Sequence, residues 1–235
     1  MFYVLTAAIV NRNDSGYAYL GKIVHSVARR QSTGMIHASD MARTQSSLKD
    51  LISLEREIGG NSSVRALAVV RYPLGSDGEE RARKRCVAEL MVALVSGFGV
   101  SSVTMDSRDP LGRASESRTP RRGSRNYEDF MTIEDLKAVG ELPKDLEVSH
   151  GNDRLKQGLW IADVATYAVD RSLADRDPSR LQWIAPHLHM REALTLPVSE
   201  RTDSGKQLSP ATEMSSFLND FVQQARIIHD EENGE

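Results

Sequence analysis

The sequence contains a single cysteine, Cys86. One thiol excludes an intramolecular disulfide and any cysteine-rich zinc site. Cys86 falls in an apolar helical stretch, where a free cysteine behaves as a small buried hydrophobe rather than a reactive thiol. Long hydrophobic runs are also missing: none approaches the ~20 residues that cross a bilayer. The apolar start, Met1 to Val10, has no basic segment before it and no cleavage site after it. The expectation is a cytoplasmic protein with no membrane partner. Excess charge of one sign is absent too. With 30 Lys+Arg against 33 Asp+Glu the net charge is -3, so any surface for nucleic acid has to be local.

What is present suffices for a core. The chain has 235 residues, 40% of them hydrophobic, enough for one large domain or two small ones. Short runs rich in β-formers predict strands at Met1 to Val10, Val64 to Arg71, Val100 to Met105 and Lys144 to Ser149, with a short one at Met35 to Ala38. Helical spacing predicts helices at Gly16 to Arg30, Arg43 to Ile58 (stopped by Gly59-Gly60), Asp77 to Phe98, Leu155 to Leu173 and about Ala211 to Ile228. Strands alternating with helices predict an α/β sheet with helices on its faces. Ser107 to Asn126 reads as a polar, arginine-rich loop, and Asp175 to Pro210 as irregular chain punctuated by prolines. The acidic end, His229 to Glu235, reads as frayed. No internal repeat and no second domain is evident. Residues 1–173 are expected to form the α/β domain, and 174–235 an extension packed on it.

Asp163 stands out. It sits in Leu159-Trp160-Ile161-Ala162-Asp163-Val164-Ala165-Thr166-Tyr167-Ala168-Val169, a helix apolar almost all round and therefore expected to be buried. An acid there costs several kcal/mol unless paired, hydrogen-bonded or bound to a metal. A second acid, Asp106, follows a predicted strand, and strand ends in α/β folds line ligand crevices. Asp109 reads as half of an Asp-Pro turn. Carboxylates converging from a strand end and a helix suit Mg²⁺ or Mn²⁺, and such ions can drive phosphodiester cleavage. The alternative is that Asp163 caps a backbone amide or pairs with an arginine.

Other residues could assist. Arg108, Arg113, Arg118, Arg121, Arg122 and Arg125 crowd the polar loop. Guanidinium groups match phosphate geometry, so the loop is a candidate nucleic-acid contact; the alternative is a solvated surface loop. His37, with Asp40 close by, is a candidate ligand or general base. His150 follows a predicted strand. For either histidine a satisfied, partly buried ring is the competing reading. His187 and His189 bring no supporting zinc ligands. Trp160 and Tyr167 read as core.

The segment from Ser149-His150 through Gly158 to Val169 resembles the C-terminal signature of a bacterial and phage family, domain of unknown function 3800. Members carry a serine on a strand and then a helix reading approximately G-L-Q-L-A-D-L-I-A-Y-A-V. Ile36-His37-Ala38-Ser39-Asp40 is similar to that family's I-H-x-S/T-E segment, and Val103-Thr104-Met105-Asp106 to its later strand ending in aspartate. The resemblance covers about residues 1 to 173. It implies a ribonuclease-H-like fold, with a mixed sheet between helices, and a metal-dependent nuclease of phage or mobile-element settings. Family members open with a strand bearing Asp-Glu-Ser-Gly, whose aspartate is the central acid of the proposed metal site. This chain begins at what looks like the family's second strand, and Asp14-Ser15-Gly16 follows that strand instead of lying in one.

Three readings stand at this point. One is a nuclease in which Asp106 and Asp163 hold Mg or Mn, His37 or Asp40 assists, and the arginine loop grips phosphates. Another is a catalytically inactive relative that binds nucleic acid or protein. A third is a partner-binding protein whose exposed sheet edge is covered in a homodimer.

Overall fold

The computed structural model describes residues 2–71, 78–107, 120, 122–151, 157–194 and 212–233. It is a mixed α/β structure with five strands and seven α-helices among those residues. The strands are β1 (Tyr3–Val10), β2 (Val64–Arg71), β3 (Ser102–Asp106), β4 (Glu147–Gly151) and β5 (Leu188–Glu192). The helices are α1 (Ser15–Arg30), α2 (Ala38–Met41), α3 (Gln45–Gly59), α4 (Gly78–Phe98), α5 (Arg125–Ala138), α6 (Gln157–Asp175) and α7 (Thr212–Asn233).

The strands form two sheets. One has the order β1-β2-β5, with β1 antiparallel and β5 parallel to β2. The other is the parallel pair β3-β4. Side chains alternate across a strand, and β1 uses both faces. Val4, Ala8 and Val10 join the core built with α1, α3, α6 and α7, while Leu5, Ala7 and Ile9 join the one built with α4 and α5. The second core also takes Val103 and Met105 of β3 and Val148 of β4. A run that must satisfy two cores reads as continuously apolar, which is why β1 and β2 stand out in the sequence.

Three expectations need correction. Met35 to Ala38 is not a strand: Ala38 begins α2, and Ile36 is buried in the core. The stretch 175–210 is not wholly irregular, because Leu188–Glu192 forms β5 and extends the main sheet. Its Leu-His-Met-Arg-Glu alternation buries Leu188, Met190 and Glu192 while His189 and Arg191 stay exposed. The acidic tail continues α7 to Asn233 rather than fraying at His229. The helix α5 starts inside the expected loop, at Arg125, and continues through residues for which no element was expected.

Caps and close approaches fix the helices locally. Asp14 Oδ1 accepts from Gly16 N–H at 2.7 Å and from Ser63 Oγ–H at 2.6 Å. These bonds, the serine's first, hold its carboxyl below the usual range. Gly59 ends α3 against the carbonyl of Trp183, where an added Cβ has no room. Arg56 stacks over the Trp183 ring at 4.0 Å, a cation–π contact.

Glu55 of α3 is buried, and burial pushes its carboxyl up to about 7 against the opposing pull of Arg180. The folded state therefore holds a proton that the unfolded chain releases near 4.5. Stability falls as pH rises through that window, by roughly 3 kcal/mol in all. Thermal unfolding followed from pH 5 to pH 8 is expected to show this decline. Glu55→Gln is expected to flatten it and to be the more stable protein at pH 8.

Candidate functional site

The helix α6 crosses β1 and gives its apolar side to the core through Trp160, Ile161, Val164, Ala165, Ala168 and Val169. It is not apolar all round in its contacts. Asp163 is half-buried rather than buried, and it faces a cavity of about 950 Å³. The reason is geometric: Leu159, Ala162, Asp163 and Thr166 share the helix face that looks into this cavity.

Three predicted site residues line it together. Asp163 comes from α6, Asp106 from the exposed end of β3, and His37 from the turn before α2. Asp163 Oδ2 accepts the backbone N–H of Ala38 at 2.8 Å. That bond ties two segments 125 residues apart. It realises the amide-capping alternative, and it holds the backbone next to His37 against the carboxylate. Among the described residues there is no cluster of three or more His, Cys, Asp or Glu able to hold a metal ion. A divalent site there would rest on Asp106 and Asp163. Two carboxylates fit a Mg²⁺ ion, which keeps several waters and binds through one or two carboxylates plus substrate phosphates. A carboxylate already oriented by a hydrogen bond fits a ligand role as well.

Asp40 is not brought to this cavity. It is exposed on α2 and pairs with Arg43 at 3.3 Å. Arg108, Arg113, Arg118, Arg121 and Asp109 lie outside the described residues. Arg122 is exposed beside the start of α5. Arg125 is the first residue of α5, not part of a loop, and neither lines the cavity. His150 is buried on β4 and away from the cavity lining. His187 and His189 are each held below the usual histidine range, by burial first and then by nearby arginines. Cys86 is fully buried, and burial pushes its thiol up to about 12, so it is not a nucleophile.

The cavity also carries cations that sequence reasoning passed over: Arg12, Arg65 and Arg83. Arg65 interrupts an otherwise buried strand, Val64-Arg65-Ala66, which was the available signal. Arg83 is committed elsewhere. Its Nε and Nη2 donate to both oxygens of the fully buried Asp129, at 3.0 and 2.7 Å, and its Nη1 donates to the Tyr3 hydroxyl at 3.2 Å. Burial works against its charge, but the contacts with Asp129 and Tyr3 together outweigh it and keep the guanidinium protonated.

The Asp163–Ala38 bond predicts a pattern in stability. Asp163→Asn keeps an acceptor oxygen and is expected to unfold within a few tenths of a kcal/mol of the parent. Asp163→Ala leaves the amide without that acceptor and is expected to cost about 1 kcal/mol. Denaturant unfolding of the three proteins checks this; equal losses for both variants would contradict the role given to the bond. No protein-family model, curated protein or solved structure matches the chain.

Proposed function

We propose that the protein is a metal-dependent nuclease of ribonuclease-H-like type, acting on nucleic-acid phosphodiesters. The observation that carries this reading is that Asp106, Asp163 and His37, from three segments far apart in sequence, line one cavity. In this proposal Asp106 and Asp163 hold Mg²⁺ or Mn²⁺. When bound, such an ion activates a water and stabilises the leaving oxygen. The Ala38 amide keeps Asp163 in one orientation, so that the carboxylate need not be ordered when substrate arrives. His37, beside it, serves as the group that accepts or returns a proton. Arg12 and Arg65 are exposed cations on the cavity rim and meet the phosphate backbone. Arg122 and Arg125, both exposed near the start of α5, are proposed as further phosphate contacts outside the cavity lining.

A second reading is favoured by one observation. Asp163 Oδ2 already serves a structural bond, and two carboxylates are a small ligand set for catalysis. In this reading the same cleft binds nucleic acid or protein without cleaving it.

The two readings separate in one experiment. Incubation of DNA and RNA with the protein and Mn²⁺ or Mg²⁺ is expected to give cleavage that Asp163→Asn and Asp106→Asn each reduce by at least about 10²-fold, and that chelation abolishes. Salt-sensitive binding without cleavage assigns the second reading. Cleavage unchanged in both variants contradicts the first.

A further inference from the structure

The cavity of about 950 Å³ is lined along one side by every residue of β1, Tyr3 to Val10, and along the other by every residue of β3, Ser102 to Asp106. It runs the whole length of both strands. Among the described residues each strand is paired on one side, β1 to β2 and β3 to β4. In an antiparallel ladder half the residues turn their backbone N–H and C=O groups toward the partner and half turn them away. The edges that β2 and β4 leave along residues 4–10 and 102–105 thus face each other across the cavity. Helices close it on both faces: Leu90, Met91 and Leu94 of α4 on one, Leu159, Ala162 and Asp163 of α6 on the other. Two donors in its lining, Thr6 Oγ1 and Trp160 Nε1, are buried with no hydrogen-bond partner among the described residues. Trp160 is 97% buried, being 3% exposed.

The relative direction of the two edges follows from side-chain bonds. Arg83 joins Tyr3, at the start of β1, to Asp129 of α5. One turn earlier on α5, Asn126 Nδ2 donates to Ser107 Oγ, just past the end of β3. The start of β1 and the end of β3 therefore lie at the same end, and the strands run opposite ways. A strand between them is antiparallel to one and parallel to the other. Antiparallel pairing is slightly the more stable per residue, so the longer edge, β1, takes it.

We propose that this slot binds an extended segment of a partner polypeptide, which joins the two sheets into one by pairing with β1 and β3 together. The partner's chemistry can be read from the walls. Alternate residues face Leu90, Met91 and Leu94 and are apolar. At its first end it meets Arg12 and Arg65, beside Val10 and Ile9, and carries an acid there. At its last end it meets Asp106 and carries a base. Strand addition of this kind draws affinity from main-chain bonds and specificity from alternate side chains. The pairing with β1 and β3 stands on the sheet edges alone; the end charges are those of a partner that takes Asp106, Arg12 and Arg65 in place of a metal ion and phosphates.

The probe is a synthetic peptide as long as β1, eight residues, with aspartate first, lysine last and valine alternating with threonine between. Amide hydrogen exchange of the full chain is measured with and without the peptide at about 1 mM. The expected result is exchange slowed about tenfold or more in β1 and β3 together, lost when a central residue of the peptide is proline, and weaker when the end charges are exchanged. Four outcomes overturn the proposal. They are no slowing at that concentration, slowing in β1 alone, outward amides of both strands already protected in the free chain, and protection that rises with protein concentration without peptide. The third outcome assigns the slot to another part of this chain, and the fourth to a second copy.

Discussion

The Arg83–Asp129 pair is the interaction on which the arrangement depends. It is bidentate and buried, and Arg83 reaches the Tyr3 hydroxyl as well. Three elements, β1, α4 and α5, are thereby fixed at one end of the cleft. A buried pair of this kind gains little over a well-packed apolar replacement, yet breaking one side costs about 3–5 kcal/mol because a charge is left uncompensated. Its effect is one of specification. It sets where α5 sits, and through Asn126 and Ser107 it sets where β3 ends. Asp106 is the last residue of that strand, so its position at the rim follows from a salt bridge in the core.

The other side of the cleft is set by the bond from the Ala38 amide to Asp163. Core packing alone leaves α6 free to present several residues to β1. The apolar residues Trp160, Ile161, Val164 and Ala168 choose the buried face, and this leaves Asp163 and Thr166 on the open one. The amide bond then holds the carboxylate still and brings the turn with His37 to it. One contact serves both stability and the proposed chemistry. Paired substitutions are needed to separate them, because asparagine keeps the acceptor and removes the charge.

Much of this was legible in the sequence. The strands β1 and β2 and the helices α1, α3, α4 and α6 follow from apolar runs and helical spacing, with Gly59-Gly60 marking one stop. Asp163 was legible as an acid in an apolar helix. Its half-buried state was not, because the cavity that exposes it arises between elements distant in sequence. The strand β5 was hidden by the prolines and polar residues around it, and Arg191 and His189 weakened its apolar signal. Met35 to Ala38 read as a strand since four residues are too short to show a period; only its last residue, Ala38, belongs to an element, α2. Asp40 looked like a partner for His37 by proximity in sequence, whereas one turn of helix points it to solvent and to Arg43. Arg83 gave no signal at all: nothing in a charged helical stretch marks the one arginine that meets a buried aspartate.

The proposed slot requires β1 and β3 to be facing edges with room for one strand between them. Adjacent strands lie about 4.8 Å apart, so edges separated by one missing strand lie near twice that. Nuclear Overhauser contacts between backbone protons in solution test this most directly. Cross-strand contacts are expected for β1 with β2 and for β3 with β4, and none for β1 with β3. Backbone contacts running directly between β1 and β3 would contradict it.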